Sequence, residues 1–222
     1  MPKQKPKNKI KLAPVFHIFC EGEKTEPYYI KAYINYYHSD KRNLVVVEDT
    51  AKNTPVQLVD VAIAHKKQGN KRDIFWVVFD REATSKYPHS LHLDARKRAK
   101  DNGIEIAFSN VCFEVWFLLH LSFSTASYAS CSDLLKHSKL KELLREKGIT
   151  NYDKGYAYLF DALKDEVPNA FINAEKVMQQ ALDSAELGKE SPCFLNPYTD
   201  VHELFIDIKN FINGESSVRK KI

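Results

Sequence analysis

The chain has 222 residues, 44% of them hydrophobic, which suits one generous domain or a compact domain carrying an insertion. Its 33 Lys and Arg against 29 Asp and Glu leave a net charge of +4, too mild an excess to mark a nucleic-acid partner by itself. The longest apolar runs fall far below the ~20 residues of a membrane span, so no membrane association is expected. The distribution of charge says more than its sum. Lys3, Lys5, Lys7, Lys9 and Lys11 crowd the N-terminus, and Arg219, Lys220 and Lys221 end the chain. Such arms either neutralise phosphates or act as solvated tails. The basic N-terminus lacks the apolar segment of a signal peptide, and Cys20, Cys112, Cys131 and Cys193 form neither a CxxC pair nor a recognised zinc-site spacing. A cytoplasmic location is therefore expected.

In chain order, Pro14 to Phe19 reads as a buried strand by its β-branched and aromatic content. The turn Glu21-Gly22-Glu23-Lys24 follows, and Thr25-Glu26-Pro27 opens a helix to about Tyr37, with proline suited to the first turn. Leu44 to Glu48 is a second strand. Thr54-Pro55-Val56-Gln57 is a capping box whose helix runs toward Lys67 and stops at Gly69. Ile74 to Phe79 is a continuous apolar run of the kind found in central parallel strands. A helix from about Leu91 to Asn102 stops at Gly103, and Ile104 to Phe108 is a fourth strand. Asn110 is expected to cap a further helix running through Leu121. This βαβαβαβα order predicts an α/β fold, a mostly parallel sheet flanked by helices with right-handed crossovers.

After Ser122 strand signals vanish. Helices are predicted for Leu134 to Glu146, Tyr156 to Leu163, and Asn169 to Leu187, and a last one starts at Thr199. In it Val201, Leu204, Phe205, Ile208, Phe211 and Ile212 recur at helical spacing. The resulting division is a basic tail at 1–13, an α/β core at 14–122, and a helical cap or insertion at 123–222 whose C-terminal helix docks on the core.

Sites in open parallel sheets form beyond the carboxyl ends of the strands. There the first strand delivers Glu21, the second Glu48 and Asp49, the third Asp80 and Glu82, and the fourth Ser109 and Asn110. Crowded carboxylates need protons or cations, and hard oxygen ligands suit Mg²⁺ or Mn²⁺. Arg81, between the two acids, either points elsewhere or reaches a phosphate. Glu114 lies in a segment apolar nearly all round, so it is buried and needs a partner, a proton or a metal. Four residues after Asn110, it shares a helix face with it and reads as a metal ligand, an orienter of one, or half of a buried ion pair. Glu26 is placed to bind a second ion or to favour the helix N-terminus, and Lys24 to reach a substrate phosphate. His120 and His202 read as packing or hydrogen-bonding residues. GxxxxGK[ST], GxSxG and HExxH are absent.

These residues resemble the RloB-like proteins, whose core looks like a Toprim domain. Cys20 through Tyr28 is similar to the opening CEG-x-x-TEPxY motif, and Asp80-Arg81-Glu82 to a strand-terminal D-x-D, with the second aspartate replaced by a glutamate one methylene longer. Ser109, Asn110, Phe113, Glu114, Trp116 and His120 resemble a third motif, with Val111 where proline is usual. Asn196, Pro197, Thr199, Val201, His202 and Leu204 resemble a fourth. Tyr152 and Lys154 look like a further family pair. The resemblance implies a Toprim-like fold and an Mg²⁺-dependent nuclease acting on DNA, RNA or tRNA in prokaryotic antiphage defence. It implies Glu21, Asp80 and Glu82 at the metal. In the leading reading Glu114 supports that site, and Lys24 or Lys154 steadies the transition-state charge. An ATPase partner is implied, and a homodimer is left open. The alternative reading is a non-catalytic metal- or phosphate-binding module that works with an ATPase.

Overall fold

The computed structural model describes residues 13–51 and 54–215. Residues 1–12 of the expected basic tail, and Arg219, Lys220 and Lys221, lie outside the described residues. Strand β1 spans Phe16–Cys20, β2 Val45–Glu48, β3 Ile74–Asp80, β4 Glu105–Asn110 and β5 Tyr198–Thr199. They form one sheet in the order β2-β1-β3-β4-β5, parallel throughout except for the antiparallel β4–β5 pair. The chain is therefore an α/β protein with a mostly parallel sheet flanked by helices, the class its alternating pattern predicts.

Helices α1 (Thr25–Tyr37), α2 (Pro55–Gln68) and α3 (His89–Asn102) connect the parallel strands. The capping box is realised at α2, where Thr54 accepts a hydrogen bond from the Gln57 amide and Pro55 opens the helix. Strand alternation divides the sheet's side chains between two cores. Phe19, Phe75, Val77, Phe79 and Phe108 pack with Leu58, Val59 and Ala62 of α2 and with Ala95 and Ala99 of α3. Phe16, Ile18, Trp76, Val78 and Ala107 face the opposite core with Tyr29, Ile30 and Tyr33 of α1. Burying both faces explains why β3 is apolar along nearly its whole length.

The second core also takes in α4 (Glu114–Leu121), α8 (Val167–Asp183) and α9 (Val201–Asn213). Helix α4 packs against α8, and α9 lies against β4 and α8. Val201, Leu204, Phe205 and Ile208 of α9 are fully buried, at about 1.5–3 kcal/mol for each large side chain. Trp116 of α4 is also fully buried and stacks on Phe205 at 5.8 Å between ring centroids.

Five local expectations fail. The single helix predicted for Leu134 to Glu146 is two, α5 (Cys131–His137) and α6 (Leu140–Glu146), because Ser138 adopts extended backbone and its hydroxyl accepts from the Leu140 amide. The helix predicted for Tyr156 to Leu163 shrinks to α7 (Leu159–Leu163), and that for Asn169 to Leu187 runs instead as α8, from Val167 to Asp183. The largest miss is β5, since strand signals are absent from the sequence after Ser122. Two residues carry no period, and β5 exists through pairing with β4 (Ser109↔Thr199, Asn110↔Tyr198). That pairing draws Asn110 into β4, so it does not cap a helix or share a helix face with Glu114.

Candidate metal and phosphate site

The strand order reverses direction between β1 and β3, which makes their carboxyl ends the topological switch point where open α/β sheets place ligands. Glu21 follows β1 and Asp80 ends β3. The Glu21 amide donates to the Val78 carbonyl, and its Oε2 accepts from the Asp80 amide at 3.2 Å. Chain reversal after β3 puts Glu82 at φ 54°, a left-handed conformation uncommon outside glycine, with its amide bonded to the Val111 carbonyl at 3.0 Å. Such conformations concentrate at functional sites, where surrounding contacts hold them. Glu82 pairs with Lys86 at 2.9 Å.

A cleft of about 410 Å³ opens over these strand ends. Glu21, Glu26, Asp80, Glu82 and Glu114 line it, together with Lys24, Lys86 and Lys154. Glu26 stands in the first turn of α1, buried, with its carboxylate against Gly22. A Cβ at position 22 would collide with that carboxylate, so any larger residue there would force the Glu26 side chain to shift. The loop carrying Lys154 is tied to α1, since the Gly155 amide donates to Thr25 Oγ1 at 3.0 Å. Gly155 sits at φ +80° with its Cα against the Lys24 side chain.

The electrostatics are those of crowded, half-dehydrated acids. Burial raises the Glu21 carboxyl to about 7, opposed by the Asp80 amide and reinforced by Glu82. Burial, then the negative charges of Glu26 and Glu114, push Asp80 well above the ordinary carboxylate range. Glu26 is raised by burial and by Glu114. Asp80 Oδ1 is buried and has no hydrogen-bond partner among the described residues. A buried acceptor without a donor costs about 1–3 kcal/mol, and a hard cation would satisfy it. On this observation the oxygen donors present fit Mg²⁺ or Mn²⁺.

Glu114 is almost wholly enclosed, and both its oxygens are engaged. Tyr152 donates to Oε1 at 3.2 Å, Cys131 donates to Oε2 at 3.2 Å, and Lys154 Nζ lies 3.8 Å from Oε2. The ion pair is thus present, between the buried Glu114 and a half-exposed Lys154. Burial works against the Lys154 charge, but neighbouring anions led by Glu114 outweigh it and hold the ammonium above its usual range. Cys112, Glu114 and Cys131 bring their ligand atoms within 4.8 Å of one another, a group that could hold a metal ion. The sequence reading missed this group, because Cys131 reaches it from α5, 17 residues after Glu114, and no spacing rule joins them.

Other expected residues stand apart. Ser109 bonds Thr199 at 3.0 Å and Asn110 donates to the Leu195 carbonyl at 2.6 Å, so these residues secure β5 and do not line the cleft. Glu48 and Asp49 line a neighbouring depression of about 420 Å³, which Gly22 and Glu23 join to the cleft. There Glu48 is held by His17 at 2.7 Å. Arg81 points away from the cleft and donates to the carbonyls of Cys193 and Tyr87 at 3.1 and 2.7 Å. His120 accepts from Tyr29 at 2.6 Å and donates to the Trp116 carbonyl at 2.8 Å, a packing role. Burial lowers His120 and His202 to about 4. A further depression of about 430 Å³ lies beside α8; its charged residues, Glu186 and Lys189, pair with each other at 2.6 Å.

Residues 16–208 match the family described as RloB-like protein. The chain belongs to this RloB-like family. No curated protein and no solved structure gives a significant match. The family match spans all five strands and every residue of the cleft. No helix among the described residues is long and apolar enough to cross a membrane.

Proposed function

We propose that this RloB-like chain is a Toprim-like nuclease that hydrolyses nucleic-acid phosphodiester bonds with Mg²⁺ or Mn²⁺. The observation that carries the reading is the buried, unpartnered Asp80 Oδ1 beside Glu21, at the switch point of the sheet and inside a cleft that also holds three lysines. In this reading Glu21, Asp80 and Glu82 hold the cation, and Glu26 serves a second ion. A bound divalent cation would polarise the phosphate and activate water. Lys154 meets the charge that develops on the phosphate, and Glu114 positions Lys154 from the cleft floor. Lys24 steadies a flanking phosphate from the start of α1. The segment after Ser122 acts as the cap that delivers Lys154. The family resemblance supports a role as an effector of prokaryotic antiphage defence, controlled by an ATPase partner.

The test is incubation of purified protein with plasmid DNA, total RNA and tRNA, with and without Mg²⁺ or Mn²⁺, alone and with an ATPase encoded beside it. Cleavage of one substrate class that requires the cation and is lost in Asp80→Asn is the expected result. Saturable, metal-dependent phosphate binding with every substrate left intact under all these conditions would replace the nuclease reading with that of a binding module.

A further inference from the structure

Beneath the acidic cleft, Cys112, Glu114 and Cys131 converge from three segments: the β4–α4 turn, the first residue of α4 and the first residue of α5. Their burial is nearly complete, at 0%, 1% and 8% exposure. The ligand atoms lie within 4.8 Å of one another, and Cys131 Sγ is 3.2 Å from Glu114 Oε2. Ligands around a tetrahedral zinc ion, at bond lengths of 2.0–2.3 Å, stand about 3.3–3.8 Å apart. Closing that difference asks the ligand atoms to approach one another by up to about 1–1.5 Å.

We propose that Cys112, Cys131 and Glu114 form a second, thiolate-rich site for a soft divalent cation of the zinc class, distinct from the hard-oxygen site at Glu21 and Asp80. Ligand chemistry separates the two, because thiolates select zinc over magnesium. Charge balance supports the site. Two thiolates and one carboxylate carry three negative charges, the cation supplies two positive charges, and the Lys154 ammonium 3.8 Å from Glu114 supplies the third. In the metal-free state burial, together with Cys131 and Glu114, pushes the Cys112 thiol well up. A cation would displace the Cys112 and Cys131 protons to solvent, including the one Cys131 now donates to Glu114.

Tyr152, whose hydroxyl donates to Glu114 Oε1 at 3.2 Å, stands beside the three ligands and would orient the carboxylate. The proposed role is to clamp: residues 123–128 carry no helix or strand, and the ion would fix the start of α5 to the floor of the cleft. That would hold Glu114, and through it Lys154, in place.

The site can be tested without any activity assay. The full chain is produced in zinc-depleted minimal medium supplemented with cobalt chloride, purified under reducing conditions and desalted. The expected result is about one cobalt per chain with sulfur-to-cobalt charge-transfer absorption in the near ultraviolet. Cys112→Ser and Cys131→Ser should each lose the absorption and most of the metal. Cys20→Ser and Cys193→Ser should keep both, and so should Glu21→Gln, which leaves this site intact. If a serine variant does not fold, as judged by circular dichroism, the alanine variant of the same cysteine replaces it. Parent protein without charge-transfer absorption, or absorption that survives in both Cys112 and Cys131 variants, would overturn the proposal and leave a hydrogen-bonded thiol pair.

Discussion

Replacing Glu21 by glutamine should stabilise the metal-free protein in mild alkali while removing its activity. The Glu21 carboxyl is raised from 4.5 to about 7, chiefly by burial. A carboxyl whose folded pKa exceeds its unfolded value binds more protons in the native state. Its contribution to stability is therefore fully present below about pH 4.5 and is lost as pH rises through 7. At pH 8 the ionised group costs about 3 kcal/mol on the scale of 1.36 kcal/mol per pKa step. Glu21 is partly open to the cleft, and solvent screening reduces this to about 2 kcal/mol. Glutamine carries no charge and keeps an oxygen for the Asp80 amide. For 222 residues the unfolding entropy is about 0.5 kcal/mol per degree, so the variant should melt about 4 °C above the parent at pH 8. By pH 5 the gap should shrink to about 1 °C, since the penalty there is only ~0.5 kcal/mol. Added Mg²⁺ should raise the parent's melting temperature at pH 8 and raise the variant's much less, because an amide oxygen is a poorer ligand than a carboxylate. The assay is scanning calorimetry at both pH values with and without Mg²⁺, alongside nucleic-acid cleavage. A variant that melts below the parent at pH 8 without metal, or that cuts at the parental rate, would refute the assignment of Glu21 as a strained metal ligand.

Two further substitutions separate chemistry from scaffolding. Glu82→Asp keeps the charge at the chain reversal after β3 and should retain cleavage within about tenfold, read from initial rates; complete loss would show that the longer arm is needed to reach the ion. Arg81→Met should lower stability by about 2–3 kcal/mol in urea unfolding, because it strips buried donors from the carbonyls of Cys193 and Tyr87; unchanged stability would mean that Arg81 is held for substrate contact and not for packing.

Much of the fold was legible because its signals are local. A parallel strand buried on both faces must be apolar along its length, and Ile74 to Phe79 says so without any partner in view. Thr54 with Pro55 and Gln57 starts a helix through a hydrogen bond three residues long. Glu21, Asp80 and Glu82 could be gathered in one cleft because strand ends in a parallel sheet lie along one edge. What the tertiary structure decided depends on contacts distant in the chain. Strand β5 is two residues long and takes its conformation from β4, so it also withdrew Ser109 and Asn110 from the rim where the sequence had placed them. Arg81 could have faced a phosphate; carbonyls at 87 and 193 turned it inward. Glu114 needed a partner by burial alone, but Lys154, Tyr152 and Cys131 became its partners through the packing of the segment after Ser122, which no residue spacing encodes. Local periodicity and capping fix which elements form, whereas the neighbours of a buried polar group are fixed by how those elements stack.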